Sequence, residues 1–124
     1  MAKAKILVVE DNPLNRELFA AMLEPEGYEV VMAADAREGI DLAISEAPDL
    51  VLMDIGLPVI DGLEATRRLR QTAATAGLKI VVVSAHALES DRRRAEAAGC
   101  DGFVTKPIRR AELLLEIRRH LVTS

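Results

Sequence analysis

The 124-residue chain has the length of one ordinary domain, enough to bury roughly two thirds of the surface its unfolded form exposes. Half of its residues are apolar and 29% are charged, which excludes a disordered or fibrous chain, and the lone cysteine, Cys100, excludes an internal disulfide. Acidic residues outnumber basic ones 20 to 16, for a formal charge of −4, which argues against a protein built to grip nucleic-acid phosphates.

Met1-Ala2-Lys3-Ala4-Lys5 leads directly into the continuously apolar run Ile6-Leu7-Val8-Val9, with no cleavage site between them. Asn12 is placed to cap a helix that has Pro13 at its first position and Leu14, Leu18 and Met22 at helical spacing, ended by Pro25 and Gly27. A weaker strand-like run, Val30-Val31-Met32-Ala33, precedes Asp35 and Glu38, whose spacing resembles a capping box before Ile40, Ala43 and Ile44. Leu50-Val51-Leu52-Met53 is again fully apolar, and Asp61 with Glu64 repeats the capping spacing. Ile80-Val81-Val82-Val83 follows, then the weaker Phe103-Val104-Thr105, and a last helix with Leu113, Ile117 and Leu121 on one face. Arg92-Arg93-Arg94, Arg109-Arg110 and Arg118-Arg119 fall in helix-like segments, as solvated faces or as one edge of a protein-docking surface. No apolar run approaches the roughly 20 residues of a membrane span, so a cytoplasmic location and no membrane insertion are expected.

The pattern is a strand and a helix repeated five times, which predicts an α/β protein whose parallel sheet is covered on both faces through right-handed crossovers. Runs apolar on every residue belong in the middle of such a sheet, because central strands are buried on both faces and edge strands are not. The first, third and fourth runs are therefore central. That is met by the flavodoxin-like, doubly wound (βα)5 order 2-1-3-4-5, whereas 3-2-1-4-5 would put the strongly apolar third strand on an edge. No linker or repeat interrupts residues 1–124, which are expected to form one domain.

In this order Glu10 and Asp11 end the first strand and Asp54 ends the third, on neighbouring strands about 5 Å apart at the switch point where ligands bind. At an effective dielectric near 20, each carboxylate pair at that spacing repels by roughly 3 kcal/mol, so a cation or a proton must relieve the cluster. All-oxygen donors favour Mg²⁺. Lys106 follows the fifth strand and Ser84 ends the fourth, on the same rim. A carboxylate acceptor, a cation site, an ammonium and a hydroxyl donor are the inventory for phosphoryl transfer by positioning and electrostatics. Taken singly, Asp11 is also explained as a helix cap, Asp54 as a solvated loop residue and Lys106 as half of a surface ion pair. Their coincidence at one rim is not so explained.

Val8-Val9-Glu10-Asp11-Asn12, Leu52-Met53-Asp54-Ile55-Gly56-Leu57-Pro58, Asp61-Gly62, Val83-Ser84-Ala85 and Thr105-Lys106-Pro107 together resemble the response regulator receiver family of two-component signalling, of the CheY-like, single-domain type. The resemblance covers essentially the whole chain. It implies that Asp54 accepts phosphate from a histidine kinase or phosphotransfer protein, and that Asp11, Asp54 and the Gly56 backbone carbonyl hold Mg²⁺. Glu10 stands at an acidic position of the family that is often Asp, and its extra methylene suits contact through a metal-bound water. Ser84 matches the switch hydroxyl, Lys106 the phosphate-pairing lysine, and Phe103 a switch aromatic, often Tyr, that turns inward on activation. The resemblance further implies a cis Lys106-Pro107 bond. It implies no enzyme of other substrates, only a domain that assists its own phosphorylation and dephosphorylation.

Gly56 and His86 occupy positions that tune phosphoryl lifetime in the family. His86 is read as a solvent-facing loop residue or as a modulator of attacking water, and Cys100 as a small packed residue or, more remotely, a redox sensor. The output expected is a downstream protein bound by a monomer or weak dimer, with Arg92, Arg93, Arg109 and Arg110 framing a docking face on the fourth helix, fifth strand and fifth helix. Three rivals are disfavoured. A flavin protein would not place Glu10 and Asp11 in its phosphate loop and would carry more aromatics than one Tyr and two Phe. An Asp-nucleophile phosphatase needs a cap domain, and a pseudo-receiver scaffold would not keep Asp11, Asp54, Ser84 and Lys106 together.

Overall fold

The three runs that are apolar on every residue form the middle of the sheet. The computed structural model describes residues 4–86 and 88–121, so the ends of the expected 1–124 domain lie outside the described residues. Within them, strands β1 (Lys5–Val9), β2 (Glu29–Ala33), β3 (Leu50–Asp54), β4 (Lys79–Ser84) and β5 (Gly102–Thr105) alternate with helices α1 (Pro13–Leu23), α2 (Ala36–Glu46), α3 (Gly62–Gln71), α4 (Glu89–Ala98) and α5 (Arg110–Leu121). The sheet is parallel throughout, in the order β2-β1-β3-β4-β5. All of β3 is buried, whereas β2, on an edge, carries one exposed and three half-buried residues.

Side chains alternate across the sheet and divide the core into two layers. Leu7, Val9, Val51, Met53, Ile80 and Val82 pack with residues of α2, α3 and α4. Ile6, Val8, Leu50, Leu52, Val81, Val83 and Val104 pack with Phe19 and Leu23 of α1 and Leu113, Leu114 and Ile117 of α5. This alternation decides where the site's side chains emerge. Continuing it past Val9, Met53 and Val104 puts Glu10, Asp54 and Lys106 on the α1/α5 side, while Ser84 and Phe103 share the α4 side.

The helix starts follow the local chemistry. The Asn12 side chain accepts from the Leu14 N–H at 2.9 Å with Pro13 in the first turn, which holds the acid-bearing turn between β1 and α1 in place. Asp35 accepts from Glu38 N–H at 2.8 Å, and the Glu38 carboxylate reaches back to Ala34 N–H at 2.7 Å. At α3 only half of the expected box forms. Asp61 accepts from Glu64 N–H at 2.9 Å, but the Glu64 carboxylate turns to Arg67 and Arg68, whose charge outbids a main-chain donor. The first helix ends in a 3₁₀ turn, Glu24–Glu26, closed by Gly27 at φ 93°. Among the described residues no helix is long and apolar enough to cross a membrane.

Candidate functional site

Strand register brings the acids level. Val9 pairs with Met53, so Glu10 and Asp54 are the next residues of β1 and β3 along the carboxyl-terminal rim. One carboxylate oxygen from each of Glu10, Asp11 and Asp54 lies within 4.8 Å of the others. Glu10 and Asp54 are buried and Asp11 is exposed. The donor set is entirely hard oxygen, which fits a small divalent cation such as Mg²⁺ and not a thiophilic or imidazole-seeking metal.

Protein donors already occupy much of this charge. Glu10 Oε2 accepts from Asn12 N–H at 3.1 Å, and Oε1 accepts from Lys106 Nζ at 3.3 Å and Asn15 Nδ2 at 3.4 Å. Asp54 Oδ1 accepts from Gly56 N–H at 3.1 Å and Oδ2 from Lys106 Nζ at 3.2 Å. Burial pushes the Glu10 carboxyl above the usual carboxylate range, with the Asp54 charge adding to it and the Asn12 N–H and the Lys106 ammonium opposing. Burial disfavours the Lys106 ammonium too, but Asp54 and Glu10 outweigh it and its pKa is raised. Lys106 therefore stays charged at neutral pH and bridges two carboxylates.

Ser84 is buried at the end of β4, and its Oγ accepts from the His86 N–H at 3.1 Å. His86 is exposed on the rim of the same cavity, of about 320 Å³, that holds the three acids. A second, more apolar groove of about 480 Å³ opens between α1 and the turn after β5, and Asn15, Ala85 and Lys106 line both. The Lys106-Pro107 bond is cis. Phe103 is half-buried opposite Val82, two residues from Ser84 on the same sheet face, with the Arg92 guanidinium 4.7 Å from its ring centroid. The structure corrects the expected docking frame at one point. Arg110 and Arg118 pair with Glu26 in the turn after α1, so they face α1 and not α4.

Three residues of this neighbourhood escape sequence reasoning. Asn15 and the Arg16 guanidinium, which donates to the Glu10 carbonyl at 2.7 Å, stand on the first turns of α1 and read in sequence only as its polar face. Gly62, quoted above only as part of a motif, has a structural reason. A Cβ there would lie 2.1 Å from the Asp54 carbonyl oxygen, so only glycine lets α3 start against the end of β3.

These features define an acidic cation site with an ammonium and a hydroxyl on one rim, and the response regulator receiver domain family model matches residues 6–118. The chain belongs to that family and is a receiver domain of two-component phosphorelay signalling. Within the family, the likeness to DivK read from the chain's opening and its Lys106-Pro107-Ile108 ending is met over the chain as a whole, since the polar-differentiation response regulator DivK of Brucella anthropi is 36% identical over 116 residues, 94% of each chain. The receiver domain of a Pseudomonas aeruginosa sensor histidine kinase, solved with magnesium coordinated in its active-site cleft, is 38% identical with a TM-score of 0.89, over 97% of this chain and 98% of that one. The Vibrio cholerae chemotaxis protein CheY4 is 29% identical with a TM-score of 0.92, over 97% of this chain and all of its own.

Proposed function

We propose that Asp54 accepts a phosphoryl group from the phosphohistidine of a histidine kinase or phosphotransfer protein, and that the acylphosphate switches a protein-binding surface. The observation that carries the reading is Lys106 Nζ at 3.2 Å from Asp54 Oδ2, beside two further carboxylates. An Asp54 oxygen attacks phosphorus, the P–N bond to the donor imidazole breaks, and its electron pair leaves with the ring nitrogen. Lys106, already charged and on the spot, moves from carboxylate to phosphoryl oxygen without a proton transfer.

Asp11, Asp54 and the Gly56 backbone carbonyl are the ligands proposed for Mg²⁺. Glu10 would contact it through water, consistent with Glu10 oxygens that already accept from Asn12, Asn15 and Lys106. When bound, Mg²⁺ neutralises the charge of the acids and of the incoming phosphoryl group. The same groups assist hydrolysis of the acylphosphate, and neither the bare Gly56 nor the exposed His86 shields it from water. We further propose one receiver domain over 1–124, cytoplasmic, monomeric or weakly dimeric, with a protein and not a nucleic acid as target.

The phosphoryl group brings about two negative charges and three acceptor oxygens. Ser84 Oγ accepts from His86 N–H and so keeps its own proton for a phosphoryl oxygen. Drawing that hydroxyl inward frees space on the sheet face it shares with Phe103, whose ring must leave the Arg92 guanidinium to enter it. The ring's departure reshapes the face of α4, β5 and α5 that Arg92, Arg93 and Arg109 border, coupling phosphorylation to partner binding by about 1 to 3 kcal/mol. Beryllofluoride with Mg²⁺ mimics the acylphosphate. Amide NMR should show a Mg²⁺-dependent change at Phe103 and α4 in the parent and a smaller one in Ser84→Ala at equal beryllofluoride occupancy. Equal changes in the two proteins would remove Ser84 from the route.

A further inference from the structure

We infer that Arg16 is a positioning residue for the metal-binding turn, holding the Glu10–Asn12 main chain in the shape that presents Asp11 to a divalent cation. The inference rests on the reading of Asp11 and Asp54 as Mg²⁺ ligands. The turn between β1 and α1 is short and is pinned on both sides of Asp11. On one side, Glu10 N–H donates to the Ala33 carbonyl of β2 at 3.0 Å and the Glu10 carbonyl accepts from the Arg16 guanidinium at 2.7 Å. On the other, Asn12 N–H donates to the Glu10 carboxylate at 3.1 Å, and the Asn12 carbonyl accepts from Arg16 N–H at 3.0 Å.

Arg16 thus contacts both flanks of Asp11, one through its side chain and one through its main chain. Its own place is fixed by α1, which starts at Pro13 under the Asn12 cap. Asp11 is exposed and lies on a turn, not in the sheet, so its carboxylate is aimed only as well as the peptide groups beside it are held. The Arg16 bond is a short, charge-assisted, half-buried one to the carbonyl immediately before Asp11. A planar fork with several donors suits that task better than the single ammonium of a lysine.

Charge and geometry act with opposite signs here, which makes the inference testable. Taking a cation away from three carboxylates strengthens Mg²⁺ binding if Arg16 is only a charge. Loosening the turn weakens it. The measurement is the midpoint of a Mg²⁺ binding titration followed by amide NMR, at constant ionic strength, for the parent, Arg16→Gln and Arg16→Lys, with circular dichroism to confirm folding. Arg16→Gln should need about tenfold more Mg²⁺, as when a ligand's outer-shell partner is lost. Arg16→Lys, with its charge kept, should also need more. An equal or lower midpoint in Arg16→Gln overturns the inference. If Arg16→Gln does not fold, Arg16→Lys decides alone, a raised midpoint supporting positioning and an unchanged one overturning it. A parent whose amide spectrum ignores Mg²⁺ instead overturns the metal site itself.

Discussion

At Lys106 the charges of the site meet, because one ammonium bridges Glu10 and Asp54 from across two strands. The lysine was legible as a rim residue, and in the fold the alternation that turns Glu10, Asp54 and Lys106 to one side brings it within reach of both acids. The simultaneous contact to Glu10 and Asp54 was not legible, since it depends on the conformation of a long, flexible side chain. Cys100 shows the opposite case, a residue whose chemistry its surroundings suppress. Burial, with the Asp101 and Glu96 charges adding and Arg70 opposing, pushes its thiol from 9.0 up to about 11. A raised folded-state pKa means that the native protein keeps the proton where the unfolded chain has lost it. The stability tied to this group is therefore intact below pH 9.0 and declines as the pH rises toward about 11. Cys100→Ala should lose less stability than the parent between those pH values in urea titrations. An identical decline in both proteins would show that the thiol is not the group responsible.

Among the elements, α3 and the segment leading into it matter most for the placement of Asp54. Ile55 N–H bonds the Val83 carbonyl at 3.0 Å, Gly62 N–H bonds the Ile55 carbonyl at 3.0 Å, and Gly62 packs directly on the Asp54 main chain. The obstacle to a side chain at Gly62 is backbone, which cannot rotate away. Gly62→Ala should cost about 3 kcal/mol of stability, the upper part of the usual range for overpacking, and slow phosphorylation by shifting Asp54. Equilibrium unfolding that leaves the stability of Gly62→Ala within about 0.5 kcal/mol of the parent, as at an ordinary surface position, would contradict this close approach. The capping pairs of α2 and α3 were readable from sequence because they are local. The choice of the Glu64 carboxylate between its box and Arg67 or Arg68 was not, because three competing partners lie within one turn.

For the whole molecule, strand order followed from a single physical fact, that strands buried on both faces are apolar on every residue, and the rim followed from strand order. Contacts made by long polar side chains over distance in the chain did not. Arg70 donates to the carbonyls of Gly99, Ala76 and Leu78 and pairs with Asp101, tying α3 to the segments that lead into β4 and β5, yet in sequence it is one more basic residue on a helix. Arg16 was hidden for the same reason, and so was the engagement of Arg110 with Glu26. The proposed phosphorylation is nonetheless concentrated at one carboxylate among three. Asp54→Asn keeps the shape of that side chain and removes one negative charge from the cluster, so its metal-free melting temperature should equal or exceed the parent's. The most direct test incubates parent and Asp54→Asn with Mg²⁺ and a small labelled phosphodonor and locates the label by peptide mapping. An acid-stable, base-labile phosphate on Asp54 that depends on Mg²⁺ and is lost in the variant is the predicted result, and undiminished labelling of Asp54→Asn is the result that contradicts it.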